Sequence, residues 1–208
     1  PGVKEIKHVN SKVFKVLQEI SKLRNQTRWS VMCYQIECPV LGHLFDTALF
    51  GYFSVLEQFS DERKATQMFW MGIFHDVPET WTGDFPSPIK KMIPGLREAI
   101  KRYEEKELEL HFYANLPDFI SDKIRKLLAK EEEDFEFRRY FKGADYLSAD
   151  AECYRQYLSG SRDKYFLQVP LENFDHDLKT EKFALSETCF ILHRYFYEYA
   201  KKCLESLY

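Results

Sequence analysis

The chain has 208 residues, 45% of them apolar and 16% aromatic, and a net charge of −3; it can bury one sizeable core and is not a disordered segment. Acidic and basic residues are interspersed, with no basic tail or stripe to grip a phosphodiester backbone, which argues against binding long nucleic acid. Five cysteines, an odd number without a C-x-x-C pair, fit reduced thiols in a cytoplasmic protein better than a disulfide framework.

The opening decapeptide "PGVKEIKHVN" has no apolar stretch of the kind a secretory signal carries, and no apolar run is long enough for a membrane span. Residues 11–24 place Val13, Val16, Leu17, Ile20 and Leu23 at helical spacing behind Ser11, a cap candidate. "NQTRWS", 25–30, breaks the pattern and reads as a turn. Pro39 and Gly42 mark a second break, after which 43–59 is helical and mostly apolar. Ser60 and Asp61 are cap candidates for the next helix, which is apolar all round from Met68 to Phe74 and so is expected to bury its C-terminal half.

Gly83, Pro86, Pro88, Pro94 and Gly95 make 80–95 a structured loop. A charge-laced helix runs from Leu96 to about Asn115, and another follows Pro117 to about Lys130. "EEEDFEF", 131–137, reads as a solvated acidic helix face. Residues 144–158 are helical, 160–181 read as irregular around Gly160 and Pro170, and 186–207 form a closing helix. "YFLQVPL", 165–171, is the one short strand candidate, and Pro170 weakens it. The expectation is an all-α, single-domain fold of roughly seven to nine helices over 1–208. Its motif-bearing core covers about 11–158, with a helical closure at about 159–208.

Within "GIFHDVPETWTGDFPSPIK", 72–90, His75 and Asp76 fall about 100° apart at a helix end. Glu79 stands one turn further on. A helix C-terminus disfavours a carboxylate, and burial beside Phe74 and Trp70 disfavours it further; a divalent cation removes both objections. A bare His-Asp pair more often marks a capped surface helix end, but His43 and Asp145 alter that balance. Two imidazoles and two carboxylates from three helices suit one six-coordinate transition metal with positions left for water. The other histidines lack such company: His111 and His193, inside amphipathic helices, read as partly buried packing residues, His8 lies in a polar lead-in, and His176 reads as exposed.

This order, His43, His75-Asp76, Asp145, resembles the H…HD…D signature of the all-helical HD-domain phosphohydrolases. "TRWSVM", "HD-x-x-E", "TGDFPSPIK" and "KGADYLSA" together resemble the bacterial HD-domain 5′-deoxynucleotidases (YfbR-like), from Arg28 to about Tyr157. The resemblance implies that His43, His75, Asp76 and Asp145 bind the metal, with cobalt, manganese, iron, zinc, nickel and copper all open. It implies that Arg28 contacts the substrate phosphate and Trp29 favours a 2′-deoxy sugar. Asp84, Phe85, Pro86 and Ser87 match a substrate-binding loop, and Glu79 a glutamate of the active site. Glu79 or an Asp76 oxygen is then the candidate to orient or deprotonate water. Leu41-Gly42 departs from the family pattern, in which a glutamate precedes the first histidine. Relatives are homodimers, and that expectation is carried over by analogy.

The implied reaction is release of phosphate from 2′-deoxyribonucleoside 5′-monophosphates. Two other classes compete. One is an HD phosphohydrolase acting on nucleoside triphosphates, alarmones or cyclic dinucleotides; it should need more cleft cations than Arg28, Lys90 and Lys91, or a Gly-Tyr-Pro motif that is absent. The other is a non-catalytic HD module that retains a metal for stability or partner binding.

Overall fold

The computed structural model describes residues 11–85, 90, 92–180 and 183–206. Pro86, Ser87, Lys91 and His8, and the side chain of His176, lie outside the described residues. The chain forms α1 (Ser11–Ser21), α2 (Val40–Phe59), α3 (Glu62–Phe74), the short α4 (Glu79–Thr82), α5 (Leu96–Glu107), α6 (Asp118–Glu133), α7 (Phe135–Leu158), α8 (Tyr165–Thr180) and α9 (Glu187–Glu205). Among the described residues there is no strand; Thr27 and Pro39 form an isolated antiparallel bridge. No helix among them is long and apolar enough to cross a membrane.

The reversal between α2 and α3 is built by two residues. Ser60 takes the left-handed conformation (φ 51°) and its N–H bonds Leu56 O, closing α2. Asp61 then caps α3, its carboxylate accepting the Lys64 N–H at 3.0 Å. The two helices return side by side and cross where Gly72 meets Ala48. A Cβ at 72 would lie 2.5 Å from Ala48 Cα, so only glycine permits this approach. Beyond α3, tight turns lead into α4, which Gly83 ends at φ 75°.

Helix α7 packs along α2 and α8. Asp134 caps it, accepting the Phe137 N–H at 3.0 Å. Val55, Met68, Met71, Phe137 and Phe141 bury the α2–α3–α7 junction. Val16, Leu23, Val40, Leu44 and Phe112 fill a second core beneath α1. Across α7, the buried Asp150 joins three helices, with His193 Nδ1 at 2.7 Å and Asn173 Nδ2 at 2.7 Å.

Several expectations need correction. Residues 165–180 are helical rather than irregular or extended, with Pro170 inside α8. Phe166, Leu167, Pro170 and Phe174 all face inward at helical spacing, and their burial outweighs the one N–H that proline lacks. Helix α7 starts at Phe135, so Asp145 lies midway along it rather than at its start. Phe137, within the acidic stretch read as solvated, is buried. Trp70 is 46% exposed, so the end of α3 buries Met68, Met71 and Gly72 but not its whole circumference. His111 is exposed and reaches Glu107 at 3.3 Å instead of packing inside.

The close crossing yields a direct expectation. Gly72→Ala should destabilise the protein by about 1–3 kcal/mol, because the clash is with backbone that cannot swing aside. Thermal denaturation followed by circular dichroism checks this; an unchanged melting temperature would mean the crossing relaxes freely.

Candidate active site

Three helices deliver the four predicted ligands. His43 comes from the first turn of α2, His75 and Asp76 from the end of α3, and Asp145 from the middle of α7. The backbone settles how the imidazoles present themselves. His75 Nδ1 lies 2.9 Å from Gly72 O, which can only accept, so Nδ1 carries the proton. His43 Nδ1 lies 2.9 Å from Ser148 Oγ. The Ser148 hydroxyl itself faces the His43 carbonyl oxygen at 3.5 Å, which leaves its oxygen to accept from His43.

In that tautomer of the neutral ring both Nε2 atoms carry lone pairs. Both are buried without a hydrogen-bond partner. Each nevertheless faces carboxylate oxygen: His75 Nε2 is 3.1 Å from Asp76 Oδ2, and His43 Nε2 is 3.1 Å from Asp145 Oδ1. The crossed distances are 3.8 Å (His43 to Asp76) and 4.0 Å (His75 to Asp145). Lone pairs at such separations repel unless positive charge lies between them. One ligand atom from each of His43, His75 and Asp145 falls within 4.8 Å of the others, and the nitrogen–oxygen separations of 3.1–4.0 Å lie within the reach of two metal bonds of about 2.0–2.2 Å. Asp76 adjoins this trio through its contacts with both imidazoles. The donor set therefore fits a divalent cation.

Rings and carboxylates also shift one another's titration. Burial opposes charge on His75, but the Asp76 and Asp145 carboxylates prevail and raise its pKa. Burial would likewise raise Asp76 and Asp145, yet the neighbouring histidines, with Lys142 at 3.7 Å from Asp145, hold both well below the usual carboxylate range. Glu79 behaves oppositely. Its Oε2 is buried and unpartnered, and burial, then Asp76 and Asp84, push its pKa well up against the pull of Arg28 and Lys90.

Arg28 and Trp29 sit on a loop closed at its base. Arg28 N bonds Cys38 O at 2.8 Å and Val40 N bonds Gln26 O at 2.9 Å, while the Gln26 side chain donates to Thr80 O at 3.1 Å beside Glu79. Trp29 holds φ 63°, a left-handed conformation that costs an L-residue about 1–2 kcal/mol. Its indole packs edge-on against Tyr165 and Phe166. Arg28 Nε and Trp29 Nε1 both donate to Glu152 Oε2, at 3.1 and 2.9 Å. Asp76, Glu79 and Asp84 are also near enough to Arg28 to raise its pKa, although burial opposes this. Asp84 is half-buried and Phe85 is exposed at the loop's start. Sequence reasoning missed Ser148, Glu152 and Gln156, which follow Asp145 at i+3, i+7 and i+11 on α7. That periodic polar stripe among apolar neighbours was the available signal.

A pocket that concentrates carboxylates around two buried imidazole Nε2 atoms, with a buried guanidinium beside it, can hold a cation and a phosphate together. The family model described as 5′-deoxynucleotidase YfbR-like matches residues 15–192. A 5′-deoxynucleotidase of Yersinia pseudotuberculosis is 26% identical over 157 residues, covering 74% of this chain and 79% of that protein. One from Shewanella oneidensis is 25% identical over 148 residues, covering 69% and 75%. Among solved structures, the cyanophage S-2L HD phosphohydrolase DatZ, bound to dA and one catalytic Zn2+ ion, superposes with a TM-score of 0.61 at 18% identity. That match covers 89% of this chain and 96% of the phage protein, and the helical fold is thus shared. With most of its length matched, the chain belongs to the YfbR-like 5′-deoxynucleotidase family.

Proposed function

We propose that this protein is a metal-dependent 5′-nucleotidase that releases phosphate from 2′-deoxyribonucleoside 5′-monophosphates. The observation that carries the reading is the pair of buried Nε2 atoms, without a hydrogen-bond partner and facing two carboxylates, in a member of a deoxynucleotidase family. His43, His75, Asp76 and Asp145 would hold one divalent transition metal. Such an ion supplies Lewis acidity and lowers the pKa of water it binds towards ~7.

The chain's own residues account for the rest. Arg28 engages Glu152 through Nε, and its two terminal nitrogens form the planar fork that suits a phosphate bidentately. Glu79, whose pKa burial raises, is suited to carry a proton to or from the reacting oxygens. Trp29 would lie against C2′, leaving a ribose hydroxyl without room or a partner. Asp84 and Phe85, with Pro86 and Ser87 beyond the described residues, would complete the sugar side. The reading places the enzyme in the cytoplasm, where its thiols stay reduced.

Three outcomes test this. The purified protein supplied with cobalt or manganese should release phosphate from dAMP in preference to AMP and dATP, and chelation should abolish turnover until metal is restored. Release from dATP but not dAMP would instead support a triphosphate hydrolase. Asp145→Ala should lower both metal retention and kcat/KM by about 100-fold or more, since losing even an outer partner of a ligand costs 10–100-fold. Trp29→Ala should narrow the deoxy-to-ribo preference about tenfold; an unchanged ratio would remove Trp29 from sugar selection.

A further inference from the structure

Glu152 belongs to neither the metal set nor the substrate contacts, yet it is 1% exposed and one of its oxygens does two jobs. Oε2 accepts the Arg28 Nε–H at 3.1 Å and the Trp29 indole N–H at 2.9 Å. Rotating either donor breaks a hydrogen bond to a buried charge. Among the described residues the Arg28 terminal nitrogens make no hydrogen bond, and the guanidinium lies 5.5 Å from the centre of the Trp29 ring. Side chains of successive residues ordinarily diverge, and the left-handed backbone at Trp29 accompanies their convergence on one acceptor.

One turn further along α7, Gln156 braces the far side of the same loop. Its amide oxygen accepts the Gln35 N–H at 2.8 Å and the Ile36 N–H at 3.3 Å. The loop is thereby docked at two levels on one helix face, and Glu152 is the level that touches functional side chains.

The geometry points to Glu152 as a positioning residue that sets the Arg28 fork and the Trp29 ring together, so that phosphate affinity and sugar selection depend on one carboxylate oxygen. This rests on the proposed roles of Arg28 and Trp29. It has a distinctive consequence: a change at Glu152 alters both properties at once, whereas a change at Arg28 or Trp29 alters mainly one.

Steady-state kinetics on dAMP and AMP, with bound metal measured by plasma emission, test the inference. Glu152→Gln keeps the shape and an acceptor oxygen but removes the charge, and should raise KM for dAMP about tenfold while lowering the deoxy-to-ribo ratio of kcat/KM severalfold. Glu152→Ala should raise KM by about 100-fold and lower kcat less. Metal content should match the parent in both. If Glu152→Ala fails to fold, Glu152→Gln decides. A metal-loaded Glu152→Gln protein whose KM and deoxy-to-ribo ratio both stay within about twofold of an active parent overturns the role of Glu152 alone. A parent that releases no phosphate from any deoxynucleoside monophosphate overturns the underlying function and this inference with it.

Discussion

The structure turns on a contact that is unfavourable as it stands. Two imidazoles, each with Nδ1 engaged by a partner on the far side of the ring, turn Nε2 towards carboxylate oxygens 3.1 Å away inside the protein. Burying charges of one sign against lone pairs is strongly penalised, and a divalent cation reverses the sign of the whole arrangement. The rest of the fold reads as the means of assembling it. The Ser60–Asp61 reversal returns α3 alongside α2, and the missing side chain at Gly72 lets the helices close until the His43 and His75 rings stand 5.5 Å apart. The same Gly72 supplies the carbonyl that fixes the His75 tautomer, so one residue serves both packing and ligand chemistry.

Helix α7 is the template on which the remaining parts are ordered. Along one face it presents Asp145 to the imidazoles, Ser148 to the back of His43, Glu152 to Arg28 and Trp29, and Gln156 to the loop beyond them. Residues at such spacing stay in register because a helix is stiff, so Asp145 and the Arg28–Trp29 loop keep a constant separation. The opposite face is anchored by Asp150 to His193 and Asn173, which holds α7 against α8 and α9. Trp29, like Ser60, holds a left-handed backbone, and the bond from its indole to Glu152 restrains it there.

Much of this was legible in the sequence because its signals are local. Asp61 announces a helix start by its type and place, and His75-Asp76 stand out as ionisable residues ending an apolar run. Helical periodicity located α2, α3 and α9 to within a few residues. What escaped was set by tertiary packing. Pro170 suggested irregular chain, but the burial of Phe166, Leu167 and Phe174 on one side keeps α8 helical through it. His111 looked like a packing residue on periodicity, yet the helix turns it outward to Glu107. Glu152 was overlooked because a lone glutamate in a helix is usually solvated. Only its spacing from Asp145 hinted otherwise, and the Arg28–Trp29 loop that satisfies it lies more than 120 residues away in the chain.

The most direct test of the central claim is anomalous X-ray scattering from crystals of the metal-loaded protein, collected at the absorption edge of the added ion. The account predicts a single strong peak between α2, α3 and α7, with bonds of about 2.0–2.2 Å to His43 Nε2, His75 Nε2 and the Asp76 and Asp145 carboxylates. A peak elsewhere, or one bonded to only one of the two imidazoles, would contradict it.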